Sequence, residues 1–132
     1  MLFSIGYQKM KDVDVLIEAL RPHGIKTLVD VRSQPNGRKT QFNLNHLARS
    51  LPEAGIEYLW WGKTLGGFAK IEEESIQSLA KWQAGEVACL MCMEADPDKC
   101  HRKYEIGRRL EAYGVVVRHL PLPVTTPQGT LF

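Results

Sequence analysis

Residues 87–102, VACLMCMEADPDKCHR, pass from an apolar run through a polar turn to a cluster of reactive side chains. The run VACLM has the length and composition of a buried strand, and it stops at Cys92 and Glu94. Asp96 followed by Pro97 is a helix start signal, because the carboxylate caps backbone N–H groups and proline fits the first helical position. The stretch therefore predicts a strand-to-helix junction that carries two thiols, three carboxylates, an imidazole and a guanidinium.

The same alternation of apolar runs and helical patterns extends over most of the chain. Four further runs predict strands, LFSIGY, TLVDV, IEYLWW and VVVRHL. Apolar residues recur with the spacing of a helix face over residues 13–20, 44–51 and 76–80, and a fourth helix is predicted over residues 98–113. This order predicts a single α/β domain over residues 1–121, a mostly parallel sheet of about five strands with helices on both faces. Residues 122–132 read as an irregular tail.

Composition limits the classes of protein that the chain can represent. Its 132 residues fit one domain, and 44% hydrophobic with 24% charged residues is a globular composition. A formal charge of +2 is too small to indicate nucleic-acid binding by itself. We see no leader sequence and no apolar run of the ~20 residues that a membrane helix needs, so we expect a cytoplasmic protein with no membrane partner. Its three cysteines are accordingly expected to be reduced, and nothing in the sequence calls for a cofactor.

Polar side chains follow almost every predicted strand. In parallel sheets the ligand crevice lies beyond the carboxyl ends of the strands, so these side chains are expected to share a site. In chain order they are Tyr7, Asp30, Arg32, Arg38, Cys92, Glu94 and His119, and the loop after the third strand adds the glycines Gly66 and Gly67. Cys100, His101 and Arg102 join them from the predicted helix start.

Four motifs carry a family resemblance: SIGYQ, DVRSQP, GIEYLWWGKTLGG and LMCMEADPDKCHR. In this order, and over nearly the whole chain, they resemble the family described as domain of unknown function 488. The resemblance implies an α/β fold and a shared site, and it implies no particular activity. The matching residues are Asp30, Arg32, Cys92, Glu94, Cys100, His101 and Arg102. The first motif departs from the family, since Tyr7-Gln8 stands where many relatives have histidine or threonine followed by serine. The DVRS stretch is also similar to a strand ending of rhodanese-like domains.

The triplet Cys100-His101-Arg102 is predicted to lie in the first turn of a helix. Free N–H groups and the helix dipole favour anions there, and they also lower the pKa of a thiol. We therefore expect Arg102 to bind an anion and Cys100 to be the most reactive of the three thiols. The alternative is that Cys100 packs inward while Arg102 pairs with Asp96 or Asp98.

Cys92 admits two interpretations. At a strand end it occupies the place of a thiol nucleophile, but the loop that follows is acidic and lacks glycine, so a buried core cysteine is the simpler interpretation. Cys89 is predicted to lie in the core. A metal site of Cys92, Glu94, Cys100 and His101 is a further alternative, although its spacing matches no common zinc motif.

The remaining residues are weaker signals. Asp30 and Arg32 point to one side of a strand, where they either pair structurally or hold a polar ligand. Arg38 in its loop can reach a phosphate, and Gly66-Gly67 permits close backbone approach or only a tight turn. His119 is either a general base or a structural histidine. One of Trp60 and Trp61 borders the crevice or both pack in the core.

We therefore predict an enzyme that acts on an anionic, nucleotide- or nucleic-acid-related substrate at the carboxyl edge of the sheet. Asp30, Glu94, His101 or a thiol would perform the chemistry, and the arginines would hold the anion. A non-catalytic nucleotide or nucleic-acid binding module is the alternative, and a metal-binding regulator is a further one. The oligomeric state, the substrate and the reaction do not follow from the sequence.

Overall fold

A computed structural model describes residues 1–68 and 70–121, and within them five parallel strands form one sheet. The strands are β1 (Leu2–Gly6), β2 (Thr27–Asp30), β3 (Glu57–Trp60), β4 (Ala88–Cys92) and β5 (Val117–His119). Their spatial order is β3-β2-β4-β1-β5, with every pairing parallel. The predicted α/β fold is confirmed. The predicted tail, residues 122–132, lies outside the described residues.

Helices connect consecutive strands, as parallel pairing requires. The α-helices are α1 (Val13–Leu20), α2 (Leu44–Glu53), α3 (Gly62–Leu65), α4 (Glu73–Gln83) and α5 (Arg108–Leu110). A π-helical stretch, Arg102–Gly107, runs directly into α5, and 3-10 turns lie at Arg21–His23, Thr40–Phe42, Pro97–Lys99 and Glu111–Tyr113. None of the described helices combines the length and apolar character that crossing a bilayer requires.

Local sequence explains where α1 begins and ends. The Asp12 carboxylate accepts a hydrogen bond from the Val15 N–H, which satisfies a donor that the first helical turn leaves free. Leu16 and Leu20 are fully buried on one face. The chain leaves the helical region at Gly24, whose φ of 67° is left-handed and suits glycine.

The core consists of two apolar layers, one on each side of the sheet. Strand β4 contributes to both, because successive side chains alternate faces. Cys89 and Met91 join the residues of α1 and α2 on one side. Ala88, Leu90 and Cys92 join α4 and α5 on the other. The central strand β4, whose residues are all buried and apolar, is thus covered on both faces, as the prediction required.

The segment after β4 differs from the single helix predicted to start at Asp96-Pro97. The Asp96 carboxylate caps only a 3-10 turn by accepting from the Asp98 N–H, and the chain then becomes extended at Cys100. Helical structure resumes after Cys100, whose carbonyl accepts from the Lys103 N–H at 3.1 Å. Cys100 therefore precedes the helix instead of lying in its first turn. The N–H groups of the 3-10 turn are already used, since the Asp98 N–H donates to the Asp96 carboxylate and the Lys99 and Cys100 N–H groups donate to backbone carbonyls.

Candidate functional site

A cavity of about 520 Å³ opens at the carboxyl edge of the sheet. Its walls are the loops that follow four strands: Tyr7 and Gln8 after β1, residues between 32 and 39 after β2, Gly67 and Phe68 beyond α3, and residues 92–94 after β4, with His101 beside them. The register explains the convergence, because Gly6 pairs with Cys92 and Asp30 pairs with Met91, so these strand ends lie level.

The cavity gathers some of the residues predicted from the sequence and leaves others outside its lining. Those that line it are Tyr7, Arg32, Arg38, Gly67, Cys92, Glu94 and His101. Those that do not are Asp30, Gly66, Cys100, Arg102 and His119. The expectation that Asp30 and Arg102 line the cavity beside Arg32 and Glu94 is therefore wrong.

Asp30 is fully buried behind the cavity, and its carboxylate is saturated with hydrogen bonds. Arg32 donates to both oxygens, from Nε at 2.8 Å and from Nη2 at 2.6 Å, and its backbone N–H adds a third bond at 3.1 Å. Tyr58 donates a fourth from its hydroxyl at 2.6 Å. Burial and the neighbouring Asp30 charge raise the pKa of Tyr58, so this hydroxyl stays a donor. With no lone pair left over, Asp30 serves to position Arg32.

Arg32 presents a charge to the cavity that Asp30 already compensates. Burial alone lowers the pKa of Arg32, but the hydrogen bonds and charge of Asp30 outweigh it and raise the pKa. Its Nη1 also donates to the Tyr7 hydroxyl at 3.1 Å, and the guanidinium lies 5.1 Å from the centre of the Tyr7 ring. Tyr7 in turn stacks on Phe42 at 4.7 Å. Arg32 is therefore a rigid part of the cavity floor.

The loop after β2 brings further positive charge to the cavity. Lys39 ties this loop to the loop after β1, since its Nζ donates to the Gln8 carbonyl at 2.6 Å and to the Met10 carbonyl at 2.7 Å. Arg38 is exposed and lines the cavity beside it. The expected position of Arg38 at the site is thus matched by the geometry, and Lys39 joins it although the sequence analysis did not single it out.

Cys92 and Cys100 are joined as a disulfide, and Cys89 is free and buried. The expectation of three reduced thiols therefore fails for two of them. Periodicity could not show this pairing, because the extended backbone at Cys100 brings its sulfur back to the end of β4. Burial raises the pKa of the Cys89 thiol, in line with its predicted place in the core.

Arg102 lies beneath Cys92 and is fully buried. Its Nη1 donates to the Cys92 sulfur at 2.7 Å and to the Glu94 carbonyl at 2.6 Å, while its Nε donates to the Ser4 hydroxyl at 3.0 Å and its Nη2 to the Ala95 carbonyl at 3.3 Å. Neither Asp96 nor Asp98 pairs with it, and no carboxylate of the described residues forms a salt bridge with it. Burial lowers its pKa.

His101 stands between α3 and Cys100, in one defined tautomer. Its Nε2 lies 2.8 Å from the Leu65 carbonyl, which can only accept, so Nε2 carries a proton. In the neutral ring Nδ1 is then unprotonated, and it lies 3.6 Å from the Cys100 sulfur. Gly67 gives the ring its space, since a β-carbon there would lie 3.2 Å from the ring atoms Cγ and Nδ1.

Glu94 is half-buried at the rim of the thiol pair. A Glu94 carboxylate oxygen and the sulfurs of Cys92 and Cys100 all lie within 4.8 Å of one another. This spacing would suit a metal ion, but the disulfide occupies both sulfur ligands. Gly6 permits the arrangement, because a β-carbon at this position would overlap the Glu94 carbonyl and the Ala95 Cα.

His119 lies away from the cavity because β5 ends early. It pairs with Ser4, two residues before the end of β1, which places it about 7 Å short of the edge. Its Nδ1 contacts the Ser4 hydroxyl. Burial is the main cause that lowers the pKa of His119, and the positive charge of Arg102 lowers it further.

Gly66 serves packing and not the approach of a ligand, since a β-carbon at this position would overlap the Ser33 side chain.

Two exposed apolar side chains, absent from the residues predicted from the sequence, line the cavity. Phe68 is 80% exposed and Met93 is 44% exposed, and both line it. Their positions in the sequence could have indicated them, because Phe68 directly follows Gly66-Gly67 and Met93 directly follows Cys92. Trp61 packs against the core and on Trp82, as the core interpretation expected, whereas Trp60 is 37% exposed, donates its ring N–H to the Arg32 carbonyl at 2.8 Å and does not line the cavity.

The fold and site define a single-sheet α/β protein with a cavity at the carboxyl edge that combines arginine and lysine side chains with the Cys92–Cys100 disulfide. Residues 12–74 match the family model described as "Domain of unknown function DUF488", which confirms over this segment the resemblance drawn from the motifs. The segment contains Arg32, Arg38 and Gly67, while Tyr7 and residues 92–102 lie outside it. The similarity to rhodanese-like domains gains no support from this match. No curated protein and no solved structure matches the chain.

Proposed function

We propose that this protein is an enzyme that acts on an anionic, nucleotide-like substrate in the cavity at the carboxyl edge. The observation that supports this most directly is the pairing of two unlike walls around one space. Arg38 and Lys39 lie on the loop after β2, and Cys92, Glu94 and His101 lie opposite in the segment after β4.

The balance of charge in the cavity favours an anion. The charge of Arg32 is compensated by Asp30, both being nearly or fully buried. Arg38 and Lys39 then stand against the single carboxylate of Glu94. A substrate phosphate or carboxylate would gain charge-assisted hydrogen bonds from Arg38, which reaches it with several donors.

The apolar rim favours a substrate with a flat, apolar part. Phe68 is 80% exposed and Met93 is 44% exposed, and because both line the same cavity they offer it an apolar surface. Aromatic rings bind nucleobases by stacking, which contributes about 1–3 kcal/mol for each base. A nucleotide combines a flat base, which matches the apolar lining, with a phosphate, which matches the cationic lining.

The wall after β4 supports catalysis instead of binding alone. A module that only binds phosphate gains nothing from Glu94 in its site, because that carboxylate repels the ligand. As proton-transfer groups, Glu94 and His101 are accessible from the cavity, whereas Asp30 has no free lone pair. A cytoplasmic location is part of the proposal, and in that compartment the Cys92–Cys100 disulfide would be transient, as disulfides of cytoplasmic proteins usually are.

Calorimetric titration with adenosine monophosphate, adenosine and inorganic phosphate tests the binding half of this proposal. We expect the nucleotide to bind more tightly than either of its parts, because each part fills one lining only. Arg38→Ala should weaken nucleotide binding by about tenfold or more, the loss expected of one charge-assisted hydrogen bond, without changing adenosine binding. Phe68→Ala should weaken the nucleotide and adenosine and leave phosphate unchanged.

Arg49→Ala is the matched control, since Arg49 is an exposed arginine on α2 and does not line the cavity. Equal losses in Arg38→Ala and Arg49→Ala, or no binding of the nucleotide to the unchanged protein, would contradict the proposal. Nucleotide binding without turnover of any tested nucleotide would favour the non-catalytic module.

A further inference from the structure

We propose that Cys92 and Cys100 form a two-thiol centre that reduces negatively charged disulfides, with Cys92 as the attacking thiolate and Cys100 as the resolving thiol. The preference for negative charge rests on the proposed function of the cavity. The chemistry rests on three observations of its own: the contact of the two sulfurs, the buried guanidinium at Cys92 and the imidazole at Cys100.

Arg102 makes Cys92 the group that ionises. A buried guanidinium without a counter-charge is costly, and the acceptors of Arg102 other than Cys92 are neutral oxygens. Once the disulfide is reduced, a thiolate at Cys92 supplies that counter-charge at a distance of 2.7 Å. Glu94 opposes the thiolate from the cavity side and Asp96 is exposed. The direct contact with Arg102 in a buried position outweighs them, because solvent screens both carboxylates.

The positions of the two sulfurs give the order of attack. Cys92 lines the cavity and Cys100 does not, so a substrate meets Cys92 first. Both residues are almost completely buried, at 2% exposure for Cys92 and 3% for Cys100, so the order rests on Cys92 alone lining the cavity, with Cys100 in direct contact with its sulfur. A resolving thiol needs this arrangement, since it must reach the mixed disulfide without competing for the substrate.

His101 provides for the second step. Its Nε2 proton is fixed by the Leu65 carbonyl, so the unprotonated Nδ1 faces Cys100 at 3.6 Å and can take the proton of that thiol. Gly67 leaves room for the ring in this position. The histidine therefore acts on Cys100, while the arginine acts on Cys92.

The reaction consists of two balanced thiol–disulfide exchange steps. The Cys92 thiolate attacks one sulfur of the substrate R–S–S–R, forming a Cys92–S–S–R bond and releasing R–S⁻. Cys100 gives its proton to His101 and attacks the Cys92 sulfur, forming the Cys92–Cys100 disulfide and releasing the second R–S⁻. The substrate gains two electrons and the protein loses two, and a dithiol reductant restores the protein for the next cycle.

To test this proposal, the full chain is reduced and the reductant is removed. The protein is then mixed with an anionic disulfide, oxidised glutathione, or with a cationic one, cystamine. Non-reducing peptide mass analysis follows the products. We expect one disulfide consumed for each chain, two thiols released, and a Cys92–Cys100 bond formed. Cys100→Ser should stop at a mixed disulfide on Cys92 and release one thiol. Oxidised glutathione should react roughly tenfold faster than cystamine at low ionic strength, a preference that salt and Arg38→Ala reduce.

Cys89→Ser is the matched control, because Cys89 is a buried cysteine of the same strand outside the cavity, and it should react like the unchanged protein. Absence of an adduct on Cys92 in Cys100→Ser overturns the proposal, as does an equally fast adduct on Cys100 in Cys92→Ser. Nucleotide titration of the same Cys100→Ser protein separates the two proposals. Binding without an adduct removes only the thiol chemistry, and an adduct without nucleotide binding removes only the proposed function.

Discussion

Individual residues in this protein divide into those that hold the cavity and those that face it. Asp30 and Arg32 illustrate the division, since their pairing makes Asp30 a buried anchor and leaves Arg32 as a fixed element of the floor. The sequence offered a structural pair and a ligand-binding pair as alternatives. The structure shows the structural pair, and of its two partners only Arg32 lines the cavity.

Asp30→Asn should destabilise the fold strongly. The substitution keeps the shape but leaves the buried Arg32 guanidinium without its counter-charge, which costs about 3–5 kcal/mol. Tyr58→Phe removes a single hydrogen bond to the same carboxylate and should cost about 1.5–3 kcal/mol. Urea denaturation of both variants gives the comparison. A loss below about 1 kcal/mol in Asp30→Asn would show that the ion pair does not anchor the floor.

At the scale of elements, the ends of β1 and β4 position one wall of the cavity. We call this wall, which consists of Cys92, Glu94 and His101, the thiol wall. Gly6 pairs with Cys92, and the chain after β4 crosses so close to Gly6 that no side chain fits there. The Tyr7 N–H donates a hydrogen bond to the Cys92 carbonyl at 3.2 Å, which continues the β1–β4 pairing beyond the end of β1. Glu94 and Cys92 therefore depend on a close approach that the glycine allows.

Gly6→Ala should therefore both destabilise the fold and disturb the site. The new methyl group meets backbone atoms, which cannot move aside as a flexible side chain can, so we expect a loss of about 1–3 kcal/mol or more. Gly85→Ala is the control, because nothing lies within 4 Å of a β-carbon there and its φ is not positive. It should change the free energy of unfolding by no more than about 1 kcal/mol. Equal losses in thermal or urea denaturation would contradict this account of the β1–β4 junction.

At the scale of the whole molecule, the alternation of apolar runs and helical patterns was enough to predict the α/β fold and the edge of the sheet at which a cavity opens. Strand order and register were not accessible from one sequence, and they decide which loops meet. His119 shows the consequence, since β5 ends two residues short of β1 and removes it from the cavity. Arg102 shows another, because the break at Cys100 turns an expected anion ligand into a buried partner of Cys92.

The central claim is that the cationic wall, formed by Arg38 and Lys39, and the thiol wall belong to one substrate-binding site. The direct measurement is the rate at which iodoacetamide labels each cysteine of the reduced protein, read by peptide mass, with and without saturating adenosine monophosphate. We predict that Cys92 reacts fastest in the free protein, in place of Cys100 as the sequence suggested, because Cys100 precedes the helix and Arg102 contacts Cys92. The nucleotide should slow the labelling of Cys92 several-fold, and Cys89, whose pKa burial raises, should react slowly in both cases. Unchanged labelling of Cys92 at nucleotide concentrations that saturate binding would contradict the account, because the two walls would then belong to separate sites.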